Sequence, residues 1–151
     1  MANFDVTPEM ARAADAVCVF TNLDTVTEAA SQLFDDALGP SAIGVEQLGY
    51  LVCIKGMPGM SVDMLAQRKC KDPLHVRTAL LRMEARGWLQ PLGEDDEPLA
   101  LTPFGEAKLD DGATRWATMQ ERIVETMGGE DVWKDTLERL SLLQACIRSA
   151  R

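Results

Sequence analysis

One stretch near the centre of the chain, Asp72-Pro73 to Gly87, constrains the fold more than any other. The Asp72 carboxylate can accept a bond from an orphan backbone N–H of a first helical turn, and Pro73 brings a preset φ and lacks a donor that turn would waste. Glycine then closes the helix. Between these ends Val76, Ala79, Leu80 and Met83 recur at helical spacing as one buried stripe, which leaves Arg77, Thr78, Leu81, Arg82 and Arg86 facing outward or sideways. A helix backed by a core and carrying cations on its free side has the chemistry of a groove reader.

The neighbouring stretches extend this unit. Ser61 is a fair N-cap for a short preceding helix, and Val45 to Met57 reads as another, stopped by Pro58-Gly59. After Gly87, Trp88 to Leu92 and Pro98 to Leu101 are short apolar runs about the Gly-led acidic turn GEDDE, which predicts a small β-hairpin. Thr102-Pro103 repeats the cap-then-proline signal and opens a helix to Met127, broken by Gly128-Gly129. A last helix from about Asp131 presents Trp133, Leu137, Leu140, Leu143 and Ile147 on one face. Upstream, Thr7-Pro8 starts a helix of about thirty residues ended by Gly39-Pro40, with polar Thr21, Asn22 and Asp24 as places where it bends or splits. Its apolar stripe is longer than one small neighbour can cover and implies burial against another subunit. Helix, turn, helix and hairpin together make a winged helix-turn-helix.

At this point the chain resembles the MarR family of bacterial transcriptional regulators. The resemblance is carried by Leu65-Ala66 and Arg68, by Pro73, Val76, Leu80, Met83 and Glu84, by Gly87-Trp88-Leu89, and by Leu101-Thr102 with Gly105. It implies a mainly α single domain over 1–151: a winged unit over about 41–104 with a small β-wing, flanked by dimerisation helices over about 7–38 and 103–150. It further implies a homodimer in which the first, fifth and sixth helices interlock, one reading helix per half-site of a roughly palindromic duplex, and repression by occlusion of a promoter. On that frame Arg77, Thr78 and His75 are the expected base-edge contacts, while Arg82, Lys71 and Ser61 are the expected phosphate contacts. A small aromatic or phenolic ligand is implied where the winged unit meets the dimer helices, with Phe34, Tyr50, Met57, Met60 and Trp116 as candidates by position.

Two alternatives stand beside this reading. Glu94, Asp95, Asp96 and Glu97 fill the turn where family wings carry a basic residue, and Leu74 and Leu81 occupy outward positions usually polar. Such a face suits either thymine methyls or a protein partner, so a winged helix interaction module without DNA is one alternative. The other is a thiol-based redox sensor at Cys18, a position comparable with that of the cysteine in the peroxide-sensing branch of the family.

Charge fits the first reading once it is divided. The whole chain carries a net charge of -9, but residues 61 to 90 hold six Lys/Arg against three acids, a local +3 that leaves -12 for the rest. Weak non-specific affinity for DNA follows. The four cysteines are scattered, with one histidine, at no zinc-ligand or disulfide spacing, and read as small hydrophobes in a reducing compartment. The N-terminus lacks a basic region followed by an apolar run, and no stretch reaches ~18 apolar residues, so a cytoplasmic protein with no membrane partner is expected. No carboxylate pair stands apart, His75 has no nucleophile at a telling spacing, and no Gly-rich phosphate loop occurs; neither catalysis nor a metal or cofactor is expected.

Overall fold

The computed structural model describes residues 7–150. Seven α-helices follow in order: α1 (Pro8–Val17), α2 (Val19–Leu38), α3 (Val45–Gly56), α4 (Val62–Lys69), α5 (Pro73–Ala85), α6 (Pro103–Met127) and α7 (Glu130–Ser149), with a 3-10 turn over Gly39–Ser41. The caps read from sequence organise the centre. Asp72 Oδ1 accepts from the backbone N–H groups of Leu74 at 2.9 Å and His75 at 3.3 Å. Ser61 Oγ accepts from Met64 N–H at 3.3 Å, and Thr102 Oγ1 from that of Gly105 at 3.0 Å. Gly87, at φ +73, takes the left-handed turn that lets the Trp88 N–H return to the Met83 carbonyl at 3.0 Å.

These caps set α3, α4, α5 and the start of α6 around one core. Tyr50, Leu51, Val62, Leu65, Val76, Leu80 and Met83 are all buried there, joined by Leu38 from the end of α2 and by Trp88 and Leu89 from beyond α5. Gly112 lets α6 approach closely, since a Cβ there would lie 3.0 Å from Leu48 and 3.3 Å from Ile43 side-chain atoms. Lys55 of α3 pairs with Glu106 of α6, and Lys108 of α6 donates to the Ser41 carbonyl at 2.9 Å.

The N-terminal helix departs from expectation. The long N-terminal helix divides at Cys18, whose ψ of 113 is extended, one turn ahead of the polar residues expected to bend it. Asn22 fixes the start of α2: both its backbone N–H, at 3.1 Å, and its side-chain amide, at 2.9 Å, donate to the Cys18 carbonyl. The expected β-hairpin is reduced, among the described residues, to one antiparallel bridge between Leu89 and Leu101, beside a Gln90 N–H to Ala100 carbonyl bond of 2.9 Å. Pro91 and Pro98 each remove a ladder donor, one from each arm. The loop bonds instead to the α3–α4 region, with Leu99 N–H donating to Met60 O at 2.7 Å and Asp63 N–H to Asp95 O at 3.2 Å.

The terminal helices bury little of their apolar surface. Leu38 is the only buried residue of α2, and α7 has none. Phe20 and Val26 on α2, and Leu137, Leu140, Leu142 and Ile147 on α7, are all exposed. No single helix among the described residues is long and apolar enough to cross a membrane. Of the cysteines only Cys53 is buried, while Cys70 and Cys146 are exposed and Cys18 is half-buried, so the expectation of small core hydrophobes holds for one of them.

Candidate nucleic-acid interface

The inner face of α5 is fixed: Val76, Leu80 and Met83 are each 0% exposed. Helical geometry then forces the opposite face outward. A shallow groove of about 430 Å³ runs beside it, lined on α5 by Leu74, His75, Thr78, Ala79 and Arg82 and on α3 by Glu46 and Gln47.

Glu46 is the hub of this groove. Its Oε1 accepts from Tyr50 Oη at 2.9 Å and His75 Nε2 at 3.1 Å, and Lys71 Nζ lies 3.5 Å away. One carboxylate thus ties α3 to the α4–α5 turn and to the first turn of α5. Burial opposes its ionisation, but the hydrogen bonds from Tyr50 and His75, with the positive charges of Lys71 and His75, together outweigh it and hold the carboxyl below its ordinary value. The Tyr50 phenol is pushed well up, by burial first and then by its bond to Glu46 and that group's charge.

A carboxyl held low in the folded state stabilises it fully above its unfolded pKa, and that contribution fades as pH falls through the folded one. Stability is therefore expected to drop between about pH 5 and about pH 3 in part through Glu46. Glu46→Gln should flatten this acid-side decline, as read by urea midpoints at the two pH values. The effect is small because the side chain is 39% exposed. An unchanged pH slope in the variant would remove Glu46 from the account.

The expected contact residues do not all reach the open face. Arg82 and Thr78 are exposed, and Arg82 has no ion-pair partner among the described residues. Lys71 and His75 are half open to solvent, each beside Glu46. Arg77 turns to the acidic loop, where it pairs with Asp95 and donates to the Gly93 carbonyl at 3.2 Å. Ser61 is 3% exposed, its hydroxyl spent on capping α4, which takes it out of reach of a phosphate. Arg86 lies 5.2 Å over the Trp88 ring.

The ligand candidates do not share one cavity. Trp116 lines a cleft of about 410 Å³ between α3 and α6 with Val45, Leu48, Gly49, Val52, Ala113 and Lys69. Met57 and Met60 line a different groove with Met64, Gln67, Arg68, Cys70 and Arg148. Tyr50 is buried in the core and Phe34 is half-buried on α2. Sequence reading missed Lys69, whose Nζ lies over Gly49, 3.2 Å from where a Cβ would stand. Its one signal was a glycine inside α3, the mark of a close approach. Glu46 was missed as well, although its spacing from Tyr50 by one helical turn was visible.

No family model and no curated protein matches the sequence. Solved structures do match. The Mycobacterium tuberculosis transcriptional regulator MosR superposes with a TM-score of 0.74 at 20% identity, over 88% of this chain and 99% of that one. The transcriptional repressor CouR, bound to p-coumaroyl-CoA, gives a TM-score of 0.79 at 18% identity, over 95% and 98%. The M. tuberculosis MarR family protein Rv2887 gives 0.66 at 21%, over 85% and 98%. All three have also been solved with DNA, CouR on a 23-mer duplex. At these identities the likeness establishes the fold, which is that of MarR-family transcriptional regulators.

Proposed function

We propose that a chain with this fold acts as a duplex-DNA-binding transcriptional repressor, as a homodimer that sets one α5 in each half-site of a roughly palindromic promoter sequence. The observation that carries the reading is α5 itself, immobilised from within by three fully buried residues and offering His75, Thr78 and Arg82 outward with Lys71 beside its N-terminus. Arg82 and Lys71 are assigned to phosphates, His75 and Thr78 to base edges, and Arg77 to holding the acidic loop against the reading helix. That pairing answers the charge problem of the turn in part, since Asp95 is neutralised before DNA arrives. In this scheme residues of about 41–104 form the DNA-binding unit, while α1, α2, α6 and α7 hold the two copies together.

The cleft between α3 and α6 is the place for a regulatory ligand. It offers an aromatic wall, Trp116, aliphatic sides and a single cation, Lys69, which suits a flat apolar acid. Ligand there would alter the angle between α3 and α6, and so the spacing of the two reading helices.

The test is binding of the full chain to duplexes from its own upstream region, followed by fluorescence anisotropy as salt is raised. Affinity should fall steeply with salt, and Arg82→Ala should lower the slope of log K against log salt by about 1. Its thermal melt should not change, because Arg82 is exposed and unpaired. No duplex bound at low salt would overturn the reading.

A further inference from the structure

The outer face of α5 carries an apolar line as well as cations. Leu74 is 73% exposed and Leu81 47%. With Thr78 between them they fall at i, i+4 and i+7, one face of the helix. Thr78 brings no free donor to that face, because its hydroxyl donates to the Leu74 carbonyl at 2.8 Å. Exposed leucines at such spacing gain nothing for the folded monomer, whose core lies on the other side of α5.

Charge decides what covers this line. The carboxylates around it are already engaged: Asp72 on the α5 N-terminus, Glu46 on Lys71, His75 and Tyr50, Asp95 on Arg77, and Glu84 on the Leu92 N–H at 3.2 Å. Arg82, which flanks the line, keeps its charge free. A polyanion with apolar groups recessed between its charges is the matching surface. Two leucines and a threonine are also far too little apolar area for a protein interface, which takes ~800 Å² from each partner. In the major groove the only apolar group on a base edge is the C5-methyl of thymine. Leu74 and Leu81 are separated by about 10 Å along the axis of α5, so the two side chains meet different base pairs.

We infer that Leu74, seconded by Leu81, reads thymine C5-methyl groups, so that the preferred half-site carries thymines at the base pairs these side chains meet. The inference rests on the DNA-binding reading above and adds the specificity element to it.

The experiment uses a duplex selected from a random-sequence pool by the full chain. Each thymine of the selected half-site is replaced in turn by deoxyuridine, which removes the methyl and nothing else. Affinity should fall roughly fourfold or more at one or two thymines and at no others. Leu74→Ala, at an exposed position where folding is not at risk, should lose affinity on the thymine duplex and show no further loss on the uracil duplex. Leu74→Met should keep part of the discrimination. Indifference of the wild type to every uracil replacement would overturn the methyl reading while leaving DNA binding intact. Recovery of no duplex from the pool would overturn both and leave the line to a protein partner.

Discussion

Gly105→Ala is expected to destabilise the fold by about 3 kcal/mol, the upper end of what one added methyl does in a packed interior. A Cβ at Gly105 would lie 1.9 Å from the Trp88 carbonyl oxygen and 2.8 Å from its carbon. The obstacle is backbone, so no rotamer change can relieve it. Nor can that backbone withdraw easily. Trp88 and Leu89 are each 3% exposed, the Trp88 carbonyl also accepts from Thr102 N–H at 3.0 Å, and Gly105 N–H is held by the Thr102 hydroxyl. The first turn of α6 would have to tilt away from the Trp88 backbone, and it would take the core contact of Leu109 with it. For a chain of this size the melting temperature should fall by roughly 10 °C. Gly39→Ala is the control, because nothing lies within 4 Å of its Cβ and its φ of -47 is helical. A Gly105→Ala melt within a degree or two of the parent would mean that α6 and Trp88 are not locked together as described.

Gly105 also illustrates what the sequence made legible. Thr102, three residues before it, was visible as a helix start, as were Asp72, Ser61 and Gly87 at other ends. Caps and helical periodicity are local properties, fixed within four residues, so the helices and the buried stripe of α5 could be read directly. What the sequence could not show depends on partners far along the chain. Arg77 meets Asp95, eighteen residues on, only because the loop folds back toward α4 once Pro91 and Pro98 have weakened its own ladder. Glu46 meets His75 across the angle between α3 and α5. Lys69 enters the α3–α6 cleft from a third helix. Position along the chain groups the five ligand candidates, but the packing sends Met57 and Met60 to one groove and Trp116 to another.

The second large effect concerns the terminal helices, whose apolar faces stay largely open to solvent among the described residues. Phe20 is 76% exposed and Val26 64% on α2, and Leu140 is 44% and Leu142 66% on α7. Surface of that kind, repeated along two helices of 20 residues each, is covered by association in water. A second copy is the partner that the DNA-binding proposal already requires. The double variant Phe20→Glu with Leu140→Glu should therefore sediment as a monomer at micromolar concentration, where the parent sediments as a dimer. Helical content should be retained, since neither residue is buried within its own protomer. Duplex affinity should fall by about two orders of magnitude or more, because a linked second half-site adds effective concentration that a single reading helix cannot supply. The loss should be of a different kind from that of Arg82→Ala: the dimer variant weakens binding to whole sites far more than to isolated half-sites, whereas the arginine variant weakens both alike. A parent that sediments as a monomer, or a variant that remains a dimer, would refute the assignment of these faces to a twofold interface. The remaining binding energy would then have to come from one protomer alone, and a net charge of -9 around a single cationic helix argues that it would be slight.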